Sequence, residues 1–352
     1  MNVLNSVNAD HALHQGLNAA IDAYDEQRAL VTDSRNGRVL KFTNPVASVY
    51  LSQDITLFNA IRDSNPFFSV FESLWMLAGR NDTKFVTEFV KNMQNYSDDG
   101  ITLNGAYGHR WRHHFGFDQI QWAVDELTKD PGSRRVNIQM WDPFRDPQLL
   151  RTTGSLDVPC NTNLYLELQD GQLNMLVANR SNDLIWGAYG ANLVHFSLFQ
   201  QYIAQALQCK TGVYTQMSRN AHIYLDNPVT RRMIVESGDS FMLTDEYQKE
   251  HQRTTAMRQQ SQLHMDAVLL DNPEAFDRDL AVLFKTYDRY GRYWGIAYET
   301  DFMNNVAEVL GMAHHMHKID NKEYAVDLLD ASIKNAPNPW LINAKEWIQR
   351  RL

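Results

Sequence analysis

The segment from Val158 to Asp183 constrains the fold of this chain more than any other. A rigid Val158-Pro159 turn delivers a thiol, Cys160, followed by apolar residues at alternate positions: Leu164, Leu166 and Leu168. Asp170-Gly171 marks a turn, and a second alternating run, Leu173, Met175 and Val177, leads into Asn179-Arg180-Ser181-Asn182-Asp183. Side chains alternate between faces along a strand, so two such runs joined by Asp-Gly predict a β-hairpin. The hairpin returns the chain to its starting end and sets Cys160 beside Arg180 and Ser181. A nucleophile next to a cation and a hydroxyl suits holding and attacking an anionic substrate. A lone cysteine is more often a small buried hydrophobe, so the thiol by itself decides nothing.

At 352 residues the chain can bury one large core or two smaller ones. Its net charge of −9 argues against a general nucleic-acid-binding surface, which would be basic, but leaves room for a small anion held by local arginines. Two cysteines, Cys160 and Cys209, are too few for a disulfide framework and suit a reducing cytoplasm. The first residues, Met1 to Leu13, lack the basic region and apolar run of a signal peptide. No apolar run approaches the ~18 residues of a membrane span. We therefore expect a cytoplasmic location and neither a membrane nor a direct nucleic-acid partner.

Helical spacing over residues 11–30 predicts an amphipathic N-terminal helix, and Thr32 to Arg38 a polar turn before a strand at Val39–Phe42. Asn65-Pro66 opens a second helix that Gly79 stops, since Pro suits a first turn and Gly a C-terminal cap. Glu72 falls inside its apolar run, where a charge is costly unless paired or turned to solvent. Helices are expected at 82–96, 118–129 and Leu193–Leu207, and a turn at Asp130-Pro131-Gly132-Ser133. Strands are expected at Val136–Met140, at Val213–Ser218 continuing through Asn220–Leu225, and at Leu263–Leu270, the last core strand. From Asn272-Pro273 the tail reads as helical through Tyr287 and again at 299–316, 321–335 and 338–350. His109, His113 and His114 match no zinc spacing and read as surface residues. His314, His315 and His317 scatter around a helix surface, and no metal is expected.

Several motifs in chain order carry a resemblance: Tyr107-Gly108 with Trp111-Arg112, Ser133-Arg134-Arg135, Pro159-Cys160-Asn161-Thr162, Arg180-Ser181-Asn182-Asp183, and Ala221-His222-Ile223-Tyr224-Leu225. Together, over residues 30–271, they resemble the thymidylate synthase and pyrimidine hydroxymethylase superfamily. The resemblance implies an α/β (α+β) core with a large mixed sheet flanked by helices, over 1–271, followed by a helical C-terminal extension, 272–352. It also implies Cys160 as nucleophile, Tyr107 near it, and Glu72 organising water and proton transfer. Arg35, Arg180 and Ser181 would hold the substrate phosphate, joined by Arg134 and Arg135 from across a homodimer interface. His222 and Tyr224 would bind the sugar, and Asp183 with Gly187 the pterin. The base edge falls to Asn192, with Ala191 as the competing alignment, because the stretch from Ser181 to Asn192 is one residue longer than the family's and lacks its Pro-Phe pair.

In that family's chemistry the thiolate adds to C6 of a pyrimidine nucleotide, and C5 attacks the one-carbon unit of 5,10-methylenetetrahydrofolate. Hydride then gives a methyl group; water gives a hydroxymethyl group. A free thiol titrates near ~8.5, so Cys160 needs a cation to ionise at neutral pH, and Arg180 is the candidate. Three departures point to water: the sealing C-terminal motif is missing, Met93 to Tyr96 lack a Trp, and the loop after Gly187 is remodelled, with Trp186 in place of the usual Leu. Asn161 also replaces the His that commonly follows the nucleophile. An amide at 192 answers the uracil edge, so dUMP hydroxymethylation is expected. The alternatives are dCMP hydroxymethylation, thymidylate synthesis, and an inactive paralogue whose tail recruits partners. A zinc deaminase is disfavoured because Pro159-Cys160 lacks the second cysteine and the His-x-Glu partner.

Overall fold

The computed structural model describes residues 2–260 and 272–352; the strand expected at Leu263–Leu270 lies outside the described residues. In chain order the strands are β1 (Asn2–Ser6), β2 (Ala29–Ser34), β3 (Gly37–Phe42), β4 (Val46–Tyr50), β5 (Asn137–Gln139), β6 (Asn161–Gln169), β7 (Gln172–Asn179), β8 (Asn182–Asp183), β9 (Lys210–Ser218), β10 (Ala221–Tyr224), β11 (Ile234–Ser237) and β12 (Ser240–Leu243). Six of them form a mixed sheet in the order β1-β4-β9-β7-β6-β5, and β2-β3-β10-β8 form a second sheet. The pairs β1–β4 and β7–β9 run parallel and the rest of the large sheet antiparallel.

Register explains which face is core. Leu164, Val177, Gln216 and Ser48 stand in one row across four strands and are fully buried under the helix Asn192–Ala206. One residue along, Tyr165, Leu176, Thr215 and Val49 form a row on the opposite face, and Tyr165 is 47% exposed. The β6–β7 hairpin turns at Asp170 (φ 51°) and Gly171 (φ 73°), both left-handed as its two-residue turn requires.

The N-terminal helix runs Ala9–Asp25 and stops short of 30, because Gln27 turns the chain left-handed and Ala29 enters β2. The helix Pro66–Leu77 is capped by Asn65 and ends before Gly79 (φ 72°). The helix expected over 82–96 breaks into Thr83–Val86 and a 3₁₀ turn, Lys91–Tyr96. The Lys84 carbonyl accepts from Thr87 and Tyr287 hydroxyls, and the β-branched Thr87 and Val90 with Asn92 and Asn95 disfavour helix. Nor does β9 continue through Asn220: a turn at Arg219-Asn220 passes the chain to β10 in the other sheet.

The tail forms helices Pro273–Tyr290, Glu308–Lys318, Lys322–Asn335 and Pro339–Gln349. Phe276, Leu283, Leu310, Leu329, Trp340 and Ile348 from these helices join the apolar cluster that holds Phe67, Trp75 and Phe199. Phe85 packs edge-on against Phe284 and Tyr287 with ring centroids 4.9 and 4.8 Å apart. His314 is a correction to the surface expectation: it is buried, its Nδ1 lies 2.7 Å from the Tyr293 hydroxyl, and burial pushes its pKa down to about 3. Among the described residues no helix is long and apolar enough to cross a membrane.

Candidate active site

The hairpin returns Arg180 to Cys160 as its pattern predicts. The Arg180 backbone N–H donates to the Cys160 carbonyl at 3.0 Å. Its guanidinium then clasps the approach to the thiol, Nε donating to the Pro159 carbonyl (2.8 Å) and Nη2 to that of Val158 (3.1 Å). Nη2 stands 3.7 Å from the Cys160 sulfur. Beneath them, Asp157 accepts from the Gly105 N–H at 2.8 Å, and the Tyr107 hydroxyl accepts from the Asn161 N–H at 3.4 Å. Burial, then the neighbouring Cys160, raises the Tyr107 phenol.

Cys160 itself titrates above an ordinary thiol. Burial is the largest cause; Arg180 and Arg35 pull the other way and Asp157 adds to burial. Arg180 was expected to hold the thiol ionised at neutral pH, and in the free chain its attraction is outweighed by desolvation.

A chain of buried amides starts next to the nucleophile. Asn179 donates to Asn161, Asn161 Nδ2 to Asn192 Oδ1 (3.2 Å), and Asn192 Nδ2 to Asn182 Oδ1 (3.1 Å). Asn182 Nδ2 donates onward to Gln216 (2.9 Å) and Ser218 (3.0 Å), and Gln216 to the Tyr50 hydroxyl (3.0 Å). The extra residue before Asn192 is absorbed locally: Leu184–Ala191 wind as a π-helical turn broken at Gly190 (φ −113°, ψ −107°). A π turn holds one residue more than an α turn. Asn192, not Ala191, therefore enters the amide chain. Gly187 keeps the chain clear, since a Cβ there would stand 2.6 Å from Asn182 Oδ1.

Asp183 caps the π turn, accepting from the Ile185 N–H at 3.0 Å, and burial pushes its carboxyl up to about 6. Its Cα pairs with that of His222 across β8 and β10. His222 is buried, Nδ1 lies 3.1 Å from the Asn220 carbonyl, and burial lowers its pKa, so the ring is neutral with Nε2 left as acceptor. The Tyr224 ring stands perpendicular to it at 4.9 Å. Arg35 lies exposed at the β2–β3 turn, near enough to act on both Cys160 and Tyr224. Ser181 is half-buried beside Arg180.

Glu72 does not face solvent. Its Oε2 lies 2.9 Å from His195 Nε2, with both side chains nearly buried. Arg134 and Arg135 are the pair this chain does not bring to the site. They are exposed, without a hydrogen bond or ion pair to another described residue, and precede Val136, whose carbonyl accepts from Leu166 N–H. Leu166 is six residues along β6 from Cys160, roughly 20 Å of extended chain. His113 is exposed and His114 pairs with Asp142 at 2.8 Å, and among the described residues no three His, Cys, Asp or Glu side chains converge as metal ligands.

The sequence pattern of the thymidylate synthase family matches residues 33–270, more than half of the chain. The chain belongs to that family. It is 37% identical over 337 residues to the deoxyuridylate hydroxymethyltransferase of Pseudomonas phage M6, covering 91% of this chain and 87% of that protein. To the proteins of the same description from Bacillus phage SP01 and Delftia phage PhiW-14 it is 37% and 34% identical, over 49% and 47% of their lengths. Among solved structures it is similar to the thymidylate synthase of T4 phage, with TM-score 0.49 and 20% identity over 60% of this chain and 75% of that one.

Within this thymidylate synthase family member, two site groups escape any reading of pattern alone. The buried Arg62 donates Nε to the Ile185 carbonyl (3.0 Å) and stacks its guanidinium 3.9 Å over Trp186, with burial lowering its pKa to about 10. His195 sits in an apolar helix with no motif around it. Its only sequence signal is its spacing of three from Asn192, which puts both on one helix face.

Proposed function

We propose that this chain hydroxymethylates dUMP at C5, with 5,10-methylenetetrahydrofolate as one-carbon donor. The observation that carries the reading is the run Cys160–Asn161–Asn192: Asn161, the residue after the thiol, holds the Asn192 amide by one side-chain hydrogen bond. The name of the phage M6 relative, similar over nearly the whole chain, supports the same reaction.

Cys160 adds as thiolate to C6, and a substrate phosphate near Arg180, Ser181 and Arg35 supplies an anion for guanidinium forks. Asn192 meets the uracil edge, one oxygen accepting from N3–H and one N–H donating to O4. His222, neutral with a free acceptor nitrogen, takes the sugar hydroxyl with Tyr224. Asp183 holds the pterin, and Glu72 the water and protons at the ring. Release of tetrahydrofolate leaves an exocyclic methylene on the covalent adduct, and water adds to it.

The enzyme works as a homodimer. Arg134 and Arg135, stranded at the far end of their own hairpin, reach a partner's phosphate, and the partly open row of Tyr165, Leu176, Thr215 and Val49 is the face that pairs. Residues 272–352 serve as a helical extension of the catalytic core, and the protein acts in the cytoplasm of an infected host, supplying a modified nucleotide for phage DNA.

The test is incubation with dUMP or dCMP and methylenetetrahydrofolate, with mass spectrometry of the nucleotide and absorbance for dihydrofolate. 5-Hydroxymethyl-dUMP without dihydrofolate supports the reading. dTMP with dihydrofolate overturns the water branch, and a hydroxymethylated dCMP overturns the base.

A further inference from the structure

Glu72 and His195 meet in a way that asks for a third party. Glu72 Oε2 and His195 Nε2 approach to 2.9 Å, yet both are buried atoms without an aligned hydrogen-bond partner. Buried polar atoms without partners are costly, so such a pair persists where something else completes it. His195 is 6% exposed.

The surroundings say what that third party is. Glu72 stands one turn before Met76, whose backbone lies so close to Gly108 that a Cβ there would fall 1.9 Å from the Met76 carbonyl. The helix carrying Glu72 is thus pressed against the Tyr107-Gly108 turn. His195 stands one turn after Asn192 on the same helix face, and Phe196 beside it packs on Tyr107 at 5.8 Å. The helix of Glu72 thus meets both the turn that carries Tyr107 and the helix that carries His195 and Asn192, and Tyr107 and Asn192 are both hydrogen-bonded to Asn161 next to Cys160.

We propose that His195 is a positioning residue for the water-adding step: it shares with Glu72 the proton of the water that attacks the exocyclic methylene. This rests on the reading of the chain as a dUMP hydroxymethylase. A water lone pair forms the C–O bond to the methylene carbon, and the methylene π electrons move through C5 to O4 as an enolate. The water proton passes to the Glu72 carboxylate and is then held between it and the His195 nitrogen 2.9 Å away. The enolate electrons then form the C5–C6 double bond and expel the Cys160 sulfur from C6. The proton held by the pair returns to that thiolate. Nothing is oxidised or reduced. The second acceptor lets the carboxylate take a proton without releasing it toward the ring, where it would quench the enolate.

The experiment compares two readouts in the full-length enzyme and in His195→Ala and His195→Gln variants. Tritium release from [5-³H]dUMP reports formation of the methylene adduct, and mass spectrometry reports hydroxymethyl product. We expect tritium release within a few-fold of the parent but product formation lowered by about a hundredfold, the range of a lost acid–base partner. Added imidazole should restore product in His195→Ala and not in His195→Gln. Equal loss of both readouts, or product formation unchanged, overturns the role of His195. The unsubstituted enzyme separates this from the parent reading: if it makes no hydroxymethyl product, that reading itself has failed.

Discussion

Nη2 of Arg180 stands 3.7 Å from the Cys160 sulfur while donating to the Val158 carbonyl, and Nε is committed to that of Pro159. The cation therefore orients the nucleophile more than it ionises it. Burial outweighs its attraction and leaves the thiol above its ordinary range. Alkylation of Cys160 by iodoacetamide, followed by peptide mass spectrometry, should accelerate with pH through and beyond the range of a free thiol. Arg180→Ala removes an attraction that lowers the thiol, so its profile should move further to alkaline pH. A rate already at its plateau at neutral pH would contradict this balance.

Arg134 precedes β5 at the end of the hairpin remote from Cys160. If Arg134 serves a partner's site, Arg134→Ala and Cys160→Ala proteins, each inactive, regain partial activity on mixing, because one hybrid site keeps both groups. Subunit exchange is checked with a size tag. Exchange without recovered turnover excludes a shared site.

Asp183 carries a cost. Its carboxyl is pushed from 3.8 up to about 6 by burial. The fold thus favours the protonated form, and that contribution to stability is full below pH 3.8 and lost as pH rises through 6. At neutral pH the penalty is up to about 3 kcal/mol. Asp183→Asn keeps an oxygen for the Ile185 N–H and removes the charge. Its melting temperature should exceed the parent's at pH 8 and converge with it near pH 4, while turnover is lost. A stabilisation that does not change with pH would rule out the buried charge as its source.

The bidentate pair of Arg110 with Asp146, at 2.7 and 2.8 Å, is fully buried. Arg110 also donates to the carbonyls of Asn104 and Met140, so one guanidinium ties the segment before Tyr107 to the helix Arg145–Thr152. Removing one partner strands a buried charge, so Asp146→Ala should destabilise by about 3–5 kcal/mol in urea unfolding. A loss under about 1 kcal/mol, the range of exposed pairs, would mean the pair is solvated in solution.

Legibility followed the range of the interactions. The β6–β7 hairpin and the helix from Pro66 are written in local chemistry: a period of two around Asp170-Gly171, an Asn-Pro cap and a glycine stop. The break after Val86 is only partly so: Thr87, Val90 and the asparagines are local, but the Tyr287 hydroxyl on the Lys84 carbonyl comes from a distant helix. Arg110 lies between Gly108 and Trp111 and Asp146 in a polar stretch after Trp141, with no pattern linking the two; only the fold joins them. Arg62, in a polar turn, and His195, in an apolar helix, are similar cases, since their partners, Trp186 and Glu72, arrive from other elements. The burial of Cys160 was equally invisible, and it reverses the sign of the shift that a neighbouring arginine alone suggests.

The amide chain makes the base preference testable at one residue. Asn192 accepts from Asn161 and donates to Asn182, so its amide orientation is fixed from both sides before any nucleotide arrives. A fixed amide answers uracil, with N3–H to its oxygen and O4 to its N–H. Asn192→Asp places a carboxyl in the same buried site, where desolvation favours the protonated acid. A protonated acid donates to N3 of cytosine and accepts from its amino group. The ratio of kcat/KM for dCMP over dUMP should therefore rise by about a hundredfold, as expected when a site's hydrogen-bonding polarity is inverted. Asn182→Asp, which alters the chain one step away from the base, should lower turnover of both nucleotides and leave that ratio nearly unchanged. If both substitutions shift the ratio equally, the amide network, not Asn192, sets the choice of base.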